Sequence, residues 1–176
     1  METSQPQEIF FQDDGLIPNS VFPLLLYRKA LDTPVDPDQL EQQLKNNNWT
    51  NGWRYGIYCY HHYHSNTHEV LAVTNGYAHL LLGGENGQKL DVEQGDVLIV
   101  PAGVGHKCLS HSDDFLVFGA YPDGYEPDLK KANATDRATA DEHISEVPIP
   151  ETDPLFGKSA GLAGIWTKYA SEQISR

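Results

Sequence analysis

The stretch GIYCYHHYHSNTHEVLAVTNG, from Gly56 to Gly76, decides the reading of this chain. At its centre His62 and His64 stand two residues apart. Side chains alternate faces along a strand, so both imidazoles fall on the same side. Glu69 follows after four further residues, at the head of the apolar run Val70-Leu71-Ala72-Val73, which reads as the next strand. A second stretch, GDVLIVPAGVGH from Gly95 to His106, brings another histidine just past a Pro-x-Gly-x-x-His turn. Three neutral imidazoles and one carboxylate make a good shell for a first-row divalent metal, and they serve manganese, iron, nickel and zinc alike. Four protein ligands on an octahedral ion leave two positions for a substrate.

Outward from these stretches, residues 51 to 122 read as β throughout. Strands are expected at 53–64, 69–74, 77–82, 88–92, 97–100, 106–110 and 115–121. Asn51-Gly52, Asn75-Gly76, Gly83-Gly84 with Asn86-Gly87, Gln94-Gly95-Asp96 and Ser112-Asp113-Asp114 punctuate them as turns. Short, evenly spaced strands with glycine-rich turns predict a sandwich, barrel or jelly roll. Residues 1–50 read as an arm, with a buried strand at 21–27 and a helix at about 37–47. Asp36 caps that helix, Pro37 takes its first position and Gln39 completes an Asp-x-x-Gln capping box. Residues 123–176 read as loop and helical decoration, with a possible final strand from Leu162 to Tyr169. One domain over 1–176 is expected.

The two stretches fit G-x5-H-x-H-x4-E-x6-G and G-x5-P-x-G-x-x-H, and both resemble the paired signature motifs of the cupin superfamily, with every spacing kept. The run from His61 to Glu69, with Trp166-Thr167-Lys168 near the end, resembles the YjlB-like single-domain cupins. The resemblance implies an all-β, antiparallel jelly-roll barrel. It also implies one divalent metal ion held by His62, His64, Glu69 and His106. Ser110 stands where the second motif usually ends in asparagine, a position that does not ligate metal in the family. A homodimer is expected, because cupins commonly pair through sheet edges and the N-terminal arm has an unpaired apolar strand to offer.

Other residues divide by parity. Tyr58 and Tyr60 share the parity of His62 and are candidates to line a substrate pocket beside the metal. Arg54 shares it too and reads as a surface residue. His61 has the opposite parity and should point away. His68 reads as a turn-end surface histidine, and His79, His111 and His143 as solvated or packed. Cys108 shares the parity of His106 and reads as a buried, inert thiol. Glu69 is also the candidate catalytic proton acceptor.

The formal net charge of −13 argues against nucleic acid and anionic membrane as partners, since both require a basic face. An anionic ligand then needs a local cation, which a metal supplies. Two cysteines, Cys59 and Cys108, form neither a disulfide scaffold nor a thiolate zinc site. The opening residues, Met1 to Pro6, lack a basic segment followed by an apolar one, so a cytoplasmic protein is expected. The expected function is an enzyme on a small oxygen-rich molecule (carboxylate, keto acid or diol) by dioxygenase, decarboxylase or isomerase chemistry. The alternative is a non-catalytic module that uses the metal to bind or sense a small ligand.

Overall fold

The computed structural model describes residues 5–174. Strands β1 (Gln7–Ile9) and β2 (Leu24–Tyr27) precede helix α1 (Pro37–Asn46). Then come β3 (Trp49–Tyr55), β4 (His62–Tyr63), β5 (Glu69–Asn75), β6 (Tyr77–Leu82), β7 (Gln88–Glu93), β8 (Val97–Val100), β9 (His106–His111) and β10 (Leu116–Pro122). A short β11 (Lys130–Lys131) and helices α2 (Ala134–Glu146) and α3 (Leu162–Ile174) complete the described elements. The strands form two antiparallel sheets, ordered β1-β2-β8-β5-β10-β3 and β11-β4-β9-β6-β7, which pack face to face as a jelly roll.

Period 2 decides what each strand buries. Leu24, Leu26, Leu71, Val73, Leu98 and Val100 of the first sheet meet Leu80, Leu82, Leu90, Val92 and Cys108 of the second, and this is the core. The alternate residues Leu25, Tyr27, Val70, Ala72, Val97 and Ile99 face the other way. They are covered by Leu40 and Leu44 of α1 and by Leu162 and Trp166 of α3. Strands β2, β5 and β8 are therefore buried on both faces, which is why their sequences read as unbroken apolar runs. Asp36 caps α1 as expected, accepting from the backbone N–H groups of Asp38 and Gln39.

Three expectations are corrected. The strand at 53–64 is not continuous. β3 belongs to the first sheet and β4 to the second, so the chain must leave β structure over 56–61 to cross between them. Leu162 to Tyr169 is helix, not strand. Leu162, Ile165 and Trp166 sit at i, i+3 and i+4, and this spacing lays one apolar stripe on the outer face of the first sheet. Finally, the apolar strand of the N-terminal arm is not on offer to a partner. β2 pairs with β1 on one side and β8 on the other, leaving the short β1 at the edge. Among the described residues, no helix is long and apolar enough to cross a membrane.

Candidate metal centre

The four residues expected as ligands meet at one end of the space between the sheets. Glu69 opens β5 with the inward parity of Leu71 and Val73, so the first sheet aims it at the second. His62 and His106 are Cα partners across β4 and β9, and their ring centroids lie 4.0 Å apart. His64 follows β4 directly. The turn that delivers His106 depends on Gly103, whose φ is +94° and where a Cβ would stand 2.4 Å from the Asn19 carbonyl oxygen. Asn19 clamps the turn further. Its side-chain oxygen accepts from Gly105 N–H at 3.1 Å, and its Nδ2 donates to the carbonyls of Gln12 and Gly83.

Each imidazole is fixed in the same tautomer. Nδ1 of His62 lies 3.0 Å from the Tyr60 carbonyl oxygen, that of His64 lies 2.5 Å from that of Asp128, and that of His106 lies 3.1 Å from that of Val104. A carbonyl oxygen only accepts, so all three Nδ1 atoms carry the proton and donate it. In the neutral ring the lone pair is thereby left on Nε2, the nitrogen available to a metal. One ring nitrogen from each histidine lies within 4.8 Å of the other two, the arrangement of a three-histidine metal cluster. Glu69 Oε1 stands 3.4 Å from Nε2 of both His64 and His106.

Electrostatics agree with geometry. Burial, reinforced by the neighbouring His106 ring, pushes His62 down to about 2, so it stays neutral. Burial opposes ionisation of Glu69, but the facing rings of His64 and His106 overcome it and hold the carboxyl far below the usual range. Burial likewise opposes charging His64, and the Glu69 carboxylate outweighs it and pushes that ring upward. A buried carboxylate that pulls positive charge toward three Nε2 lone pairs is a fit for a divalent cation.

The site sits at the base of a cavity of about 370 Å³. Tyr58 lines it, as expected; Tyr60 does not. Once the chain leaves β structure at Gly56, the parity that linked Tyr60 to His62 no longer applies. Tyr60 stacks on Tyr58 at 5.0 Å, meets the His62 ring edge-on at 5.7 Å and lies under the Lys131 ammonium at 4.9 Å, outside the cavity lining. Arg54 is at the surface, paired with Asp38 and Glu41. His61 turns away to Glu85 at 2.8 Å, and Cys108 is buried in the core. His79 pairs with Asp91 at the surface, and His111 is exposed.

His68 departs from expectation. It is only 3% exposed and acts as a buried rivet. Its Nε2–H donates to the Pro148 carbonyl at 3.0 Å, its Nδ1 accepts from Ala102 N–H at 2.9 Å, and it lies 4.8 Å from the Trp166 ring. Both nitrogens serve the backbone, so His68 is no ligand although it adjoins Glu69. Leucine at this position leaves the buried Ala102 N–H without a partner and removes the donor to the Pro148 carbonyl. We expect His68→Leu to cost about 3 kcal/mol in urea-induced unfolding. A loss within about 0.5 kcal/mol, the size of an ordinary surface change, would contradict the rivet.

Three residues of the site carried little or no sequence signal. Asp128 fixes His64 through its carbonyl and holds Ser65 through its carboxylate, which accepts from Ser65 N–H at 2.7 Å and from the Ser65 hydroxyl. Tyr121 places its hydroxyl beside Glu69 and accepts from Trp53 Nε1–H at 2.8 Å. Tyr121 had one faint cue, its place at the end of an apolar strand; Asp128 and Trp53 had none.

Comparison with known proteins places these features in a wider set. The family described as Cupin matches residues 35–135. The uncharacterized protein YjlB of Bacillus subtilis (strain 168) is 43% identical over 165 residues, covering 93% of this chain and 98% of that protein. Among solved structures, the acireductone dioxygenase from Bacillus anthracis with a cadmium ion in its active centre is 12% identical. It covers 60% of this chain and 82% of its own, with a TM-score of 0.41. The WlaRB TDP-quinovose 3,4-ketoisomerase from Campylobacter jejuni is 15% identical, covers 78% of this chain and 85% of its own, and has a TM-score of 0.37. At these scores neither structure bears on chemistry.

Proposed function

We propose, from the premise that this chain belongs to the cupin family, that it is a metal-dependent enzyme acting on a small oxygen-rich molecule. His62, His64, Glu69 and His106 hold the metal. The observation that carries this reading is the common tautomer of the three histidines. Carbonyl oxygens of Tyr60, Asp128 and Val104 take all three Nδ1 protons, leaving the Nε2 lone pairs to converge beside a buried, ionised carboxylate. Such outer partners orient a ligand ring and raise its basicity.

A bound divalent ion supplies Lewis acidity to a substrate oxygen and, for iron or manganese, a redox centre. The chain's own groups do the rest. The loop carrying Asp128 orients His64. Trp53 and Tyr121 fix the space above Glu69. Glu69, beside the Tyr121 hydroxyl, serves as a ligand and, when it loosens from the metal, as the proton acceptor of the site.

The test is turnover. Protein loaded separately with iron, manganese, nickel, cobalt or zinc is offered small carboxylates, keto acids and diols, with oxygen uptake and product formation followed. We expect turnover with at least one metal, lost on chelation and cut at least about a hundredfold in Glu69→Gln, the scale of losing a positioned acid–base group. Binding without turnover for every metal would overturn the enzyme reading in favour of a binding or sensing module.

A further inference from the structure

The walls of the cavity point to what the metal-bound ligand carries at its other end. Above the histidines the cavity is bounded by Trp53, Ile57, Tyr58, Leu71, Pro127 and Leu129. Among the described residues, no lysine or arginine lines it. Lys131 is the Cα partner of His62 on the adjacent strand, yet its ammonium lies over the Tyr60 ring and does not line the cavity. The acidic side chains that line it are Glu69 and Asp128, and the latter is spent on Ser65. A second negative charge on a ligand would therefore enter an apolar chamber with no cation to meet it, in a chain of net charge −13.

The apolar wall is built, not incidental. Trp53 stands opposite Gly119 in the ladder, and a Cβ on that glycine would lie 2.2 Å from the Trp53 ring. The indole thus lies flat against the strand only because Gly119 has no side chain. Its Nε1–H is held by the Tyr121 hydroxyl, so the ring is fixed before any ligand arrives. At the mouth Tyr58 and Leu129 stay 48% and 43% exposed, large apolar groups left in water at the rim of a cavity.

We propose that the ligand is a small chelating acid, such as a 2-hydroxy or 2-oxo acid, bearing an aromatic or branched apolar body and a single negative charge. Its oxygen pair goes to the metal and its body to the wall formed by Trp53, Ile57 and Leu129. This rests on the metal-centred reading above and adds the class of side group. The cavity volume of about 370 Å³ suits a ligand of one ring and an acid head, at the small end of ligand sites.

Calorimetric titration of zinc-loaded protein with L-lactate, L-3-phenyllactate and L-malate tests it, because the three share one chelating head and differ only in the body. Phenyllactate is expected to bind at least about tenfold more tightly than lactate, from the apolar area buried by its ring. Malate is expected to bind more weakly than phenyllactate. Trp53→Leu should shrink the phenyllactate preference. The half-exposed pair Tyr58→Ala with Leu129→Ala should do so too, without touching the core. Malate binding as tightly as phenyllactate, or lactate equalling it, overturns the apolar-body proposal while leaving the metal in place, provided chelation abolishes all three. Phenyllactate binding undiminished in chelated protein overturns the chelating head, and with it the metal-centred reading.

Discussion

Replacing His106 with alanine is expected to lower affinity for a divalent metal at least about a hundredfold, since losing even an outer partner of a ligand costs 10- to 100-fold. The reason is local. His106 and His62 are register partners with rings 4.0 Å apart, and with His64 they form the histidine cluster found among the described residues. His62→Ala and His64→Ala should act alike. His61→Ala is the control: its ring faces Glu85, so affinity should not change although it neighbours a ligand. A competition titration against a fluorescent chelator reads all four variants. The same loss should appear as stability. A ligand present at a hundred times its dissociation constant stabilises the folded state by about 2.7 kcal/mol. Added metal should therefore raise the wild-type melting temperature by about 5–10 °C and leave His106→Ala almost unmoved. Equal metal affinity in His106→Ala and wild type would contradict the ligand set.

Replacing Trp166 with alanine is expected to destabilise the fold by about 3–5 kcal/mol, the range for emptying a buried tryptophan site. Trp166 is fully buried on the outer face of the first sheet. It stacks on Phe22 at 5.3 Å, lies against His68, and donates its Nε1–H to the Pro23 carbonyl at 3.0 Å. It thereby ties α3 to the start of β2 and to the strand that begins with Glu69. Alanine leaves a cavity and one unpaired buried carbonyl. Phenylalanine fills more of the space and should cost less. Chemical unfolding monitored by circular dichroism measures the difference. A loss below about 1 kcal/mol would show that α3 is a dispensable appendage.

These two residues also mark how far the sequence could be read. His106 stood in a fixed spacing with His62, His64 and Glu69, and the strands from 69 to 121 had turn residues between them. Local period-2 and turn rules were enough there, because β5 to β10 are joined by short connections and each is fixed by its own pattern. Trp166 was misread because Leu162 to Tyr169 is short and apolar, and such a segment fits strand and helix alike until its partner is known. Its partner, the outer face of β2, β5 and β8, is assembled from segments about 70–140 residues away, which no local rule reaches. Tyr60 stands against His62 but outside the cavity lining for a related reason: parity carries only within one strand, and the crossover between sheets begins at Gly56. His68 looked like a turn residue beside a ligand, and its buried role depends on Ala102 and Pro148, far away in the chain.

The central claim is that the three Nδ1-protonated histidines and Glu69 exist to hold one divalent ion. Elemental analysis of wild-type protein, purified without chelator and repeated after chelation and reconstitution, tests it most directly. The expected result is close to one divalent metal per chain, removed by chelator, restored on reconstitution, and absent from His106→Ala. Wild-type protein that is metal-free as purified and takes up no stoichiometric metal on reconstitution would contradict it.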